Sequence, residues 1–233
     1  MSAEEITPGV YAVSLGYVNA FFLAGDDGVT LVDCGIPKKR EPILSALAAA
    51  NRQPADLKHI LVTHHHYDHF GSLAALTAAT AAKAYVHSLD APVVRGDEPH
   101  PKASKHGIWR VLGPLMNRMA PKFETSSVEV ELSDGQELPL AGGVTVVHTP
   151  GHTPGHVSFL APSKRTLFVG DAAGNFPRLG QPLGAFTADR EQAKESIRKI
   201  AGLEFEVACF GHGRPLKGEA NVKFRRLAEK LAR

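Results

Sequence analysis

Apolar positions along the chain fall into short runs punctuated by glycine, aspartate and histidine, and the runs alternate between the periods of strands and helices. Residues 10–16 (VYAVSLG) and 19–25 (NAFFLAG) are β-rich, and the run over 28–35 (GVTLVDCG) ends on Asp33 and Gly35. Residues 38–51 carry Ile43, Leu44 and Leu47 at helical spacing. A strand predicted over 59–63 runs into a histidine-dense turn, followed by an alanine-rich helix over 70–82 and a short strand over 84–87. The second half repeats the rhythm. Strands are predicted over 144–149, 156–160 and 166–170, then a helix over 188–201 and a strand over 206–210. A last helix from about 218 places Phe224, Leu227, Ala228 and Leu231 on one face. Two rounds of strands followed by helices predict an α/β (α+β) chain, with paired sheets and helices outside, in one domain over 1–233.

One stretch breaks this rhythm. Residues 92–126 are rich in proline, histidine and basic side chains around a helix-like centre, 108–119, which holds Trp109, Met116 and Met119. Ile108, Val111, Leu112, Leu115 and Met119 make an apolar stripe that Trp109 and Met116 broaden beyond one face. The pattern fits a helix with its apolar side buried. It also fits a helical lid-like insertion in which Ile108, Trp109, Leu112 and Met116 line a substrate pocket. The same surplus apolar surface would serve a homodimer contact.

Composition excludes more than it assigns. Of 233 residues, 43% are hydrophobic and 21% charged, which supports a buried core and excludes disorder or a collagen-like chain. Lys and Arg number 26 against 24 acidic residues, so the net charge of +2 gives no broad footprint for nucleic acid. Arg95, Lys102, Lys105, Arg110, Arg118 and Lys122 read as a solvated basic face. No apolar stretch approaches the roughly 18 residues of a membrane span, and the N-terminus has no basic region leading into an apolar run. Cys34 and Cys209 read as small core residues in a reducing compartment. These features predict a cytoplasmic protein acting on a small molecule, with no nucleic-acid or membrane partner. Histidine is the exception: there are 12, and they cluster.

The central cluster is Thr63-His-His-His-Tyr-Asp-His69, at the end of a predicted strand. Residues two apart on an extended segment share a side, so His64 and His66 can converge while His65 points away. Asp68 and His69 can then serve a neighbouring position as the chain turns into a helix. Three further candidates follow later β-rich runs, each beside glycine: His152 in Thr149-Pro-Gly-His-Thr-Pro-Gly-His156, Asp171 in Phe168-Val-Gly-Asp171, and His212 in Gly211-His-Gly213. Zinc wants about four N and O donors and keeps one position open when catalytic. Five histidines and two aspartates suffice for two metals that share a carboxylate. His59, His65, His87, His100, His106 and His148 are read as structural or solvated.

With its His-x-His-x-Asp-His run and separate later His, Asp and His, the sequence resembles the metallo-β-lactamase superfamily from Asp33 to His212. The resemblance implies a four-layer αββα sandwich of two mixed sheets with metals at one edge. It implies that His64, His66 and His152 hold one metal, that Asp68, His69 and His212 hold the other, and that Asp171 bridges them. Asp33 matches an early aspartate that orients a ligand imidazole, and His156 falls outside the ligand set. The metals would be two divalent ions, Zn2+ foremost, with iron or manganese also suited to these donors. The implied chemistry is hydrolysis of an ester, lactone, thioester or amide by a metal-bridging hydroxide, with Asp68 as the catalytic carboxylate that orients it or shuttles its proton.

Branches of the superfamily pull in different directions. THHHYDH is similar to the motif of the hydroxyacylglutathione hydrolases (glyoxalase II), which carry a helical glutathione-binding domain; here about twenty residues follow His212. The quorum-quenching lactonases insert helical material where residues 92–126 lie. A persulfide dioxygenase would hold one iron on the first three histidines. A nuclease related to the tRNA 3′-processing enzymes would need a basic arm. The expectation is therefore a lactonase, esterase or thioesterase with an apolar pocket, with the glyoxalase II-like and mono-iron readings as alternatives.

Overall fold

The computed structural model describes residues 3–101, 123–184 and 186–232. Strands β1 (Glu4–Thr7), β2 (Val10–Ser14), β3 (Asn19–Gly25) and β4 (Gly28–Val32) form an antiparallel meander. Helix α1 (Arg40–Ala49) carries the chain to β5 (Leu57–Leu61), parallel to β4. Helices α2 (Tyr67–Phe70) and α3 (Leu73–Thr80) lead to β6 (Lys83–His87); α4 (Ala91–Arg95) and β7 (Val130–Leu132) complete a first sheet ordered β1-β2-β3-β4-β5-β6-β7. The second sheet begins with β8 (Glu137–Leu138), β9 (Val144–His148), β10 (Val157–Ala161) and β11 (Thr166–Gly170). A small hairpin of β12 (Gly174–Asn175) and β13 (Leu179–Gly180) and helix α5 (Arg190–Ala201) precede β14 (Val207–Phe210). The order is β14-β11-β10-β9-β8, and α6 (Ala220–Leu231) follows.

Alternation along the central strands feeds two cores at once. On β3, Phe21 and Leu23 belong to the core between the sheets, while Ala20 and Phe22 join the core under the helices. Strands buried on both faces read as unbroken apolar runs, which is why NAFFLAG shows no polar alternation. Between the sheets, Phe21 meets Phe168 with ring centroids 5.6 Å apart. Outside the first sheet, α1 and α3 contribute Ile43, Leu47, Leu73 and Leu76. Outside the second, α5 and α6 contribute Ile197, Ile200 and Phe224. The layers are helix, sheet, sheet, helix: the αββα sandwich that the resemblance implies. Phe159 is 0% exposed in the inter-sheet core, so Phe159→Ala is expected to cost about 3–5 kcal/mol in urea unfolding.

Element boundaries differ where polar contacts intervene. The helix predicted over 70–82 is shorter, Leu73–Thr80, and just before it the Ser72 hydroxyl donates to Ile36 O (2.7 Å) and accepts from Lys39 N (2.8 Å). The predicted strand 59–63 is shifted to Leu57–Leu61, which leaves Thr63 in the turn that follows. Short β1, β7 and β8 and helix α4 carry too little pattern to read in advance. Of the segment 92–126, residues 92–95 lie in α4, Ser126 N donates to Val94 O at 3.0 Å, and Phe123 packs on Phe70. Ile108, Trp109, Leu112 and Met116 lie outside the described residues, as does His106.

Candidate metal centre

Parallel pairing delivers the clustered side chains to one edge of the sandwich. β4 and β5 run side by side, so Asp33, just past β4, meets Thr63, just past β5. Thr63 N and Oγ1 donate to Asp33 Oδ1 and Oδ2 at 2.8 and 2.9 Å. In the second sheet, β11 and β14 are parallel neighbours, so Asp171 and His212 emerge together. The β9–β10 loop brings His152. The two sheet ends are joined by Asn19 N, which donates to Gly211 O at 2.9 Å.

Three donor sets overlap there. His64, His66 and His152 form one; Asp68, His69 and His212 another; His64, His69 and Asp171 a third, with the ligand atoms of each set within 4.8 Å of one another. His66 Nδ1 lies 3.1 Å from His64 Nε2 and 3.0 Å from His152 Nε2. His212 Nε2 lies 3.5 Å from Asp68 Oδ2. Asp171 touches both sides: its Oδ2 is 3.2 Å from His212 Nε2 and 3.5 Å from His152 Nε2, and its Oδ1 is 3.6 Å from His69 Nε2.

Surrounding acceptors fix which ring nitrogen faces inward. Thr63 Oγ1 spends its proton on Asp33, so it accepts from His64 Nδ1 at 3.0 Å and frees His64 Nε2. His69 Nδ1 donates to Asp33 Oδ2 at 2.8 Å, and His212 Nδ1 donates to Tyr17 O at 2.8 Å. His152 Nδ1 faces Thr187 Oγ1 at 3.5 Å. Four imidazoles thus turn Nε2 towards a common space. Among the described residues, His69 Nε2 and Asp171 Oδ1 are buried without a hydrogen-bond partner. Orphaned acceptors of this kind, drawn from imidazole and carboxylate, fit divalent transition-metal ions.

Electrostatics divides the centre. Burial, reinforced by neighbouring histidines, holds His64 and His66 well below the usual imidazole range. Burial likewise takes His152 down to about 4. Burial opposes the charge on His69 too, but Asp171, Asp33 and Asp68 outweigh it and raise the group to about 9. His212, also opposed by burial, is raised to about 11 by its contacts with Asp171 and Asp68. Against the cost of burial, His69, His212 and His152 hold the Asp171 carboxyl far below its usual range.

His156, read from its motif as lying outside the ligand set, supports that set from behind. His156 Nε2 accepts from Asp171 N at 2.9 Å, while its Nδ1 meets Thr149 Oγ1 at 2.9 Å; His156 therefore anchors the Asp171 backbone. His65 and His100, read as structural or solvated, flank the cluster, with ring centroids 5.3 and 5.9 Å from that of His66. Asp90 is buried beneath the loops that carry His64, His66 and His152. Its place before Ala91-Pro92 signals only a helix start.

Comparison with known proteins bears on the family and the fold. A family model described as the metallo-beta-lactamase superfamily matches residues 13–212. The chain is 32% identical over 233 residues to a probable metallo-hydrolase, YflN, of Bacillus subtilis (strain 168), covering 92% of this chain and 88% of that one. It is 31% identical to a hydroxyacylglutathione hydrolase of Pseudomonas aeruginosa (strain LESB58) over 72% of this chain and 50% of that protein's length. A crystal structure of a metallo-beta-lactamase family protein from Thermus thermophilus superposes with a TM-score of 0.73 at 26% identity, covering 97% of this chain and 79% of that one. Motif, sandwich and matched length agree, and the chain belongs to the metallo-β-lactamase superfamily.

Proposed function

We propose that the chain is a hydrolase that holds two divalent cations, Zn2+ foremost and iron or manganese otherwise, and cleaves an ester, lactone or thioester carbonyl. The observation that carries this reading is the meeting of the donor sets on one carboxylate, Asp171. His64, His66 and His152 would hold one cation, Asp68, His69 and His212 the other, and Asp171 both. Bound there, the cations would supply Lewis acidity at a carbonyl oxygen and a lowered pKa for the attacking water. Asp33 and Tyr17 O keep the His69 and His212 rings turned inward. Asp68, kept ionised despite its burial by contact with His212 and His69, orients the attacking water and takes its proton.

Exposed apolar side chains flank these residues and favour a substrate with an apolar portion. Tyr17 stacks on His212, Phe176 follows Asn175, whose N–H donates to His212 O, and Leu183 O accepts from the Thr187 hydroxyl beside His152. Ile108, Trp109, Leu112 and Met116, on a lid-like insertion over 92–126 of a single domain, complete the apolar wall in this proposal, or supply a homodimer contact. A small-molecule substrate, a cytoplasmic location and the absence of nucleic-acid or membrane partners belong to the same reading. No helix among the described residues is long and apolar enough to cross a membrane. A glutathione thioester is the second reading, favoured by the likeness to the Pseudomonas hydroxyacylglutathione hydrolase.

Metal content per polypeptide, by inductively coupled plasma mass spectrometry, is the first test. About two zinc ions per chain are expected, with hydrolysis of lactones, esters or glutathione thioesters lost on chelation and restored by Zn2+. About one iron per chain, with oxygen uptake on glutathione persulfide, would replace this proposal with a mono-iron dioxygenase.

A further inference from the structure

Asp90, which precedes α4, is 0% exposed, and its partners come from two loops distant in sequence. Its Oδ2 accepts from His65 N at 2.9 Å and from Thr153 Oγ1 at 2.7 Å. Its Oδ1 accepts from Gly155 N at 2.7 Å. His65 Nδ1 lies 3.0 Å from the same oxygen. His65 sits between His64 and His66, and Thr153 directly follows His152. One carboxylate thus ties the loop presenting two imidazoles of the three-histidine set to the loop presenting the third.

Gly155 belongs to the same clasp. A β-carbon at this position would lie 2.5 Å from Asp90 Oδ1 and 2.6 Å from Asp90 N, so only glycine lets the loop backbone close on the carboxylate. Val157 N donates to Thr63 O at 2.9 Å and closes the base of the His152 loop. Its far flank is held by Ala188 N, which donates to His152 O at 3.2 Å. Asp90 alone among these contacts grips the segment between His152 and His156 from the side of His64 and His66. None of its hydrogen bonds among the described residues goes to Asp68, His69, Asp171 or His212.

We propose that Asp90 is a positioning residue that sets the spacing of His152 from His64 and His66, and thereby the affinity of the three-histidine set for a divalent cation. The role rests on the reading of that set as a metal site. A carboxylate suits it because both oxygens accept and the bonds are charge-assisted. In Asp90→Asn one acceptor becomes an NH2 donor, set against either Gly155 N–H or the His65 N–H and Thr153 hydroxyl. Losing an outer partner of this kind costs about 10–100-fold in metal affinity.

The test is Zn2+ titration of the full chain against a chromophoric chelator in two backgrounds. His212→Ala keeps the three-histidine set; His66→Ala keeps the set of Asp68, His69 and His212. Asp90→Asn is expected to weaken Zn2+ by about 10–100-fold in the first background and by less than about threefold in the second. Thr153→Val, which removes one donor at nearly constant volume, should give a smaller loss with the same split, about three- to tenfold, and carries the test if Asp90→Asn fails to fold. Equal weakening in both backgrounds, or none in either, would overturn the positioning role. Failure of the wild-type chain and of the His212→Ala chain to bind Zn2+ would overturn the reading of the set itself, and the proposal with it.

Discussion

Asp171→Ala is expected to lower hydrolysis by about three orders of magnitude and to take metal content well below two ions per chain, with the fold intact. The carboxylate is within 3.2–3.6 Å of imidazoles on both sides of the centre, so in the proposed two-cation site its removal would take a ligand from each cation at once. It also removes the main counter-charge of His69 and His212. The fold persists because Asp171 lies past the end of β11 and belongs to none of the three apolar cores. Its backbone N–H can keep the bond to His156 when the side chain is cut. Metal analysis, circular dichroism and kcat/KM on the best substrate check the three parts separately. Full activity with two bound metals would remove Asp171 from the centre. Asp171→Asn, which keeps the shape and loses the charge, should fall between alanine and wild type.

Local spacing made part of the centre legible in the sequence. The convergence of His64 and His66, with His65 turned away, follows from the two-residue period of extended backbone. In the structure, His66 Nδ1 and His64 Nε2 are 3.1 Å apart while His65 faces Asp90. The apolar runs of β3, β4 and β11 were equally readable, because each is buried on both faces. Contacts made by single polar residues over long separations were not. Asp90 meets partners 25, 63 and 65 positions away, and a lone aspartate before Ala-Pro carries no trace of them. Ser72, just before α3, bonds to residues 36 and 39, contacts that no periodicity encodes. The sequence order of β11 and β14 hides that they are neighbours, with helix α5 and a hairpin intervening. That parallel pairing brings Asp171 beside His212.

At Asp33, stability and metal affinity are expected to separate. Its carboxylate accepts from Thr63 N, Thr63 Oγ1 and His69 Nδ1, and the residue is 2% exposed at a φ of 58°. Asp33→Ala leaves these buried donors unpaired, at about 1–3 kcal/mol each if none relaxes. Alanine also meets the left-handed backbone, which costs about 1–2 kcal/mol and which aspartate and asparagine tolerate. Because such terms overlap, a total loss of about 3–5 kcal/mol in urea unfolding of the metal-free chain is expected. Asp33→Asn keeps the backbone and one acceptor for Thr63 N, so it should lose much less stability. Its amide NH2, however, would face His69 Nδ1 and make that nitrogen an acceptor. The remaining ring proton would then sit on Nε2, the nitrogen that would ligate in the proposed centre. Zn2+ affinity measured by chelator competition should fall about 10–100-fold in this variant. Wild-type affinity in Asp33→Asn would mean that the carboxylate does not set the His69 ring. Wild-type stability in Asp33→Ala would mean that water or a shifted side chain satisfies the Thr63 and His69 donors.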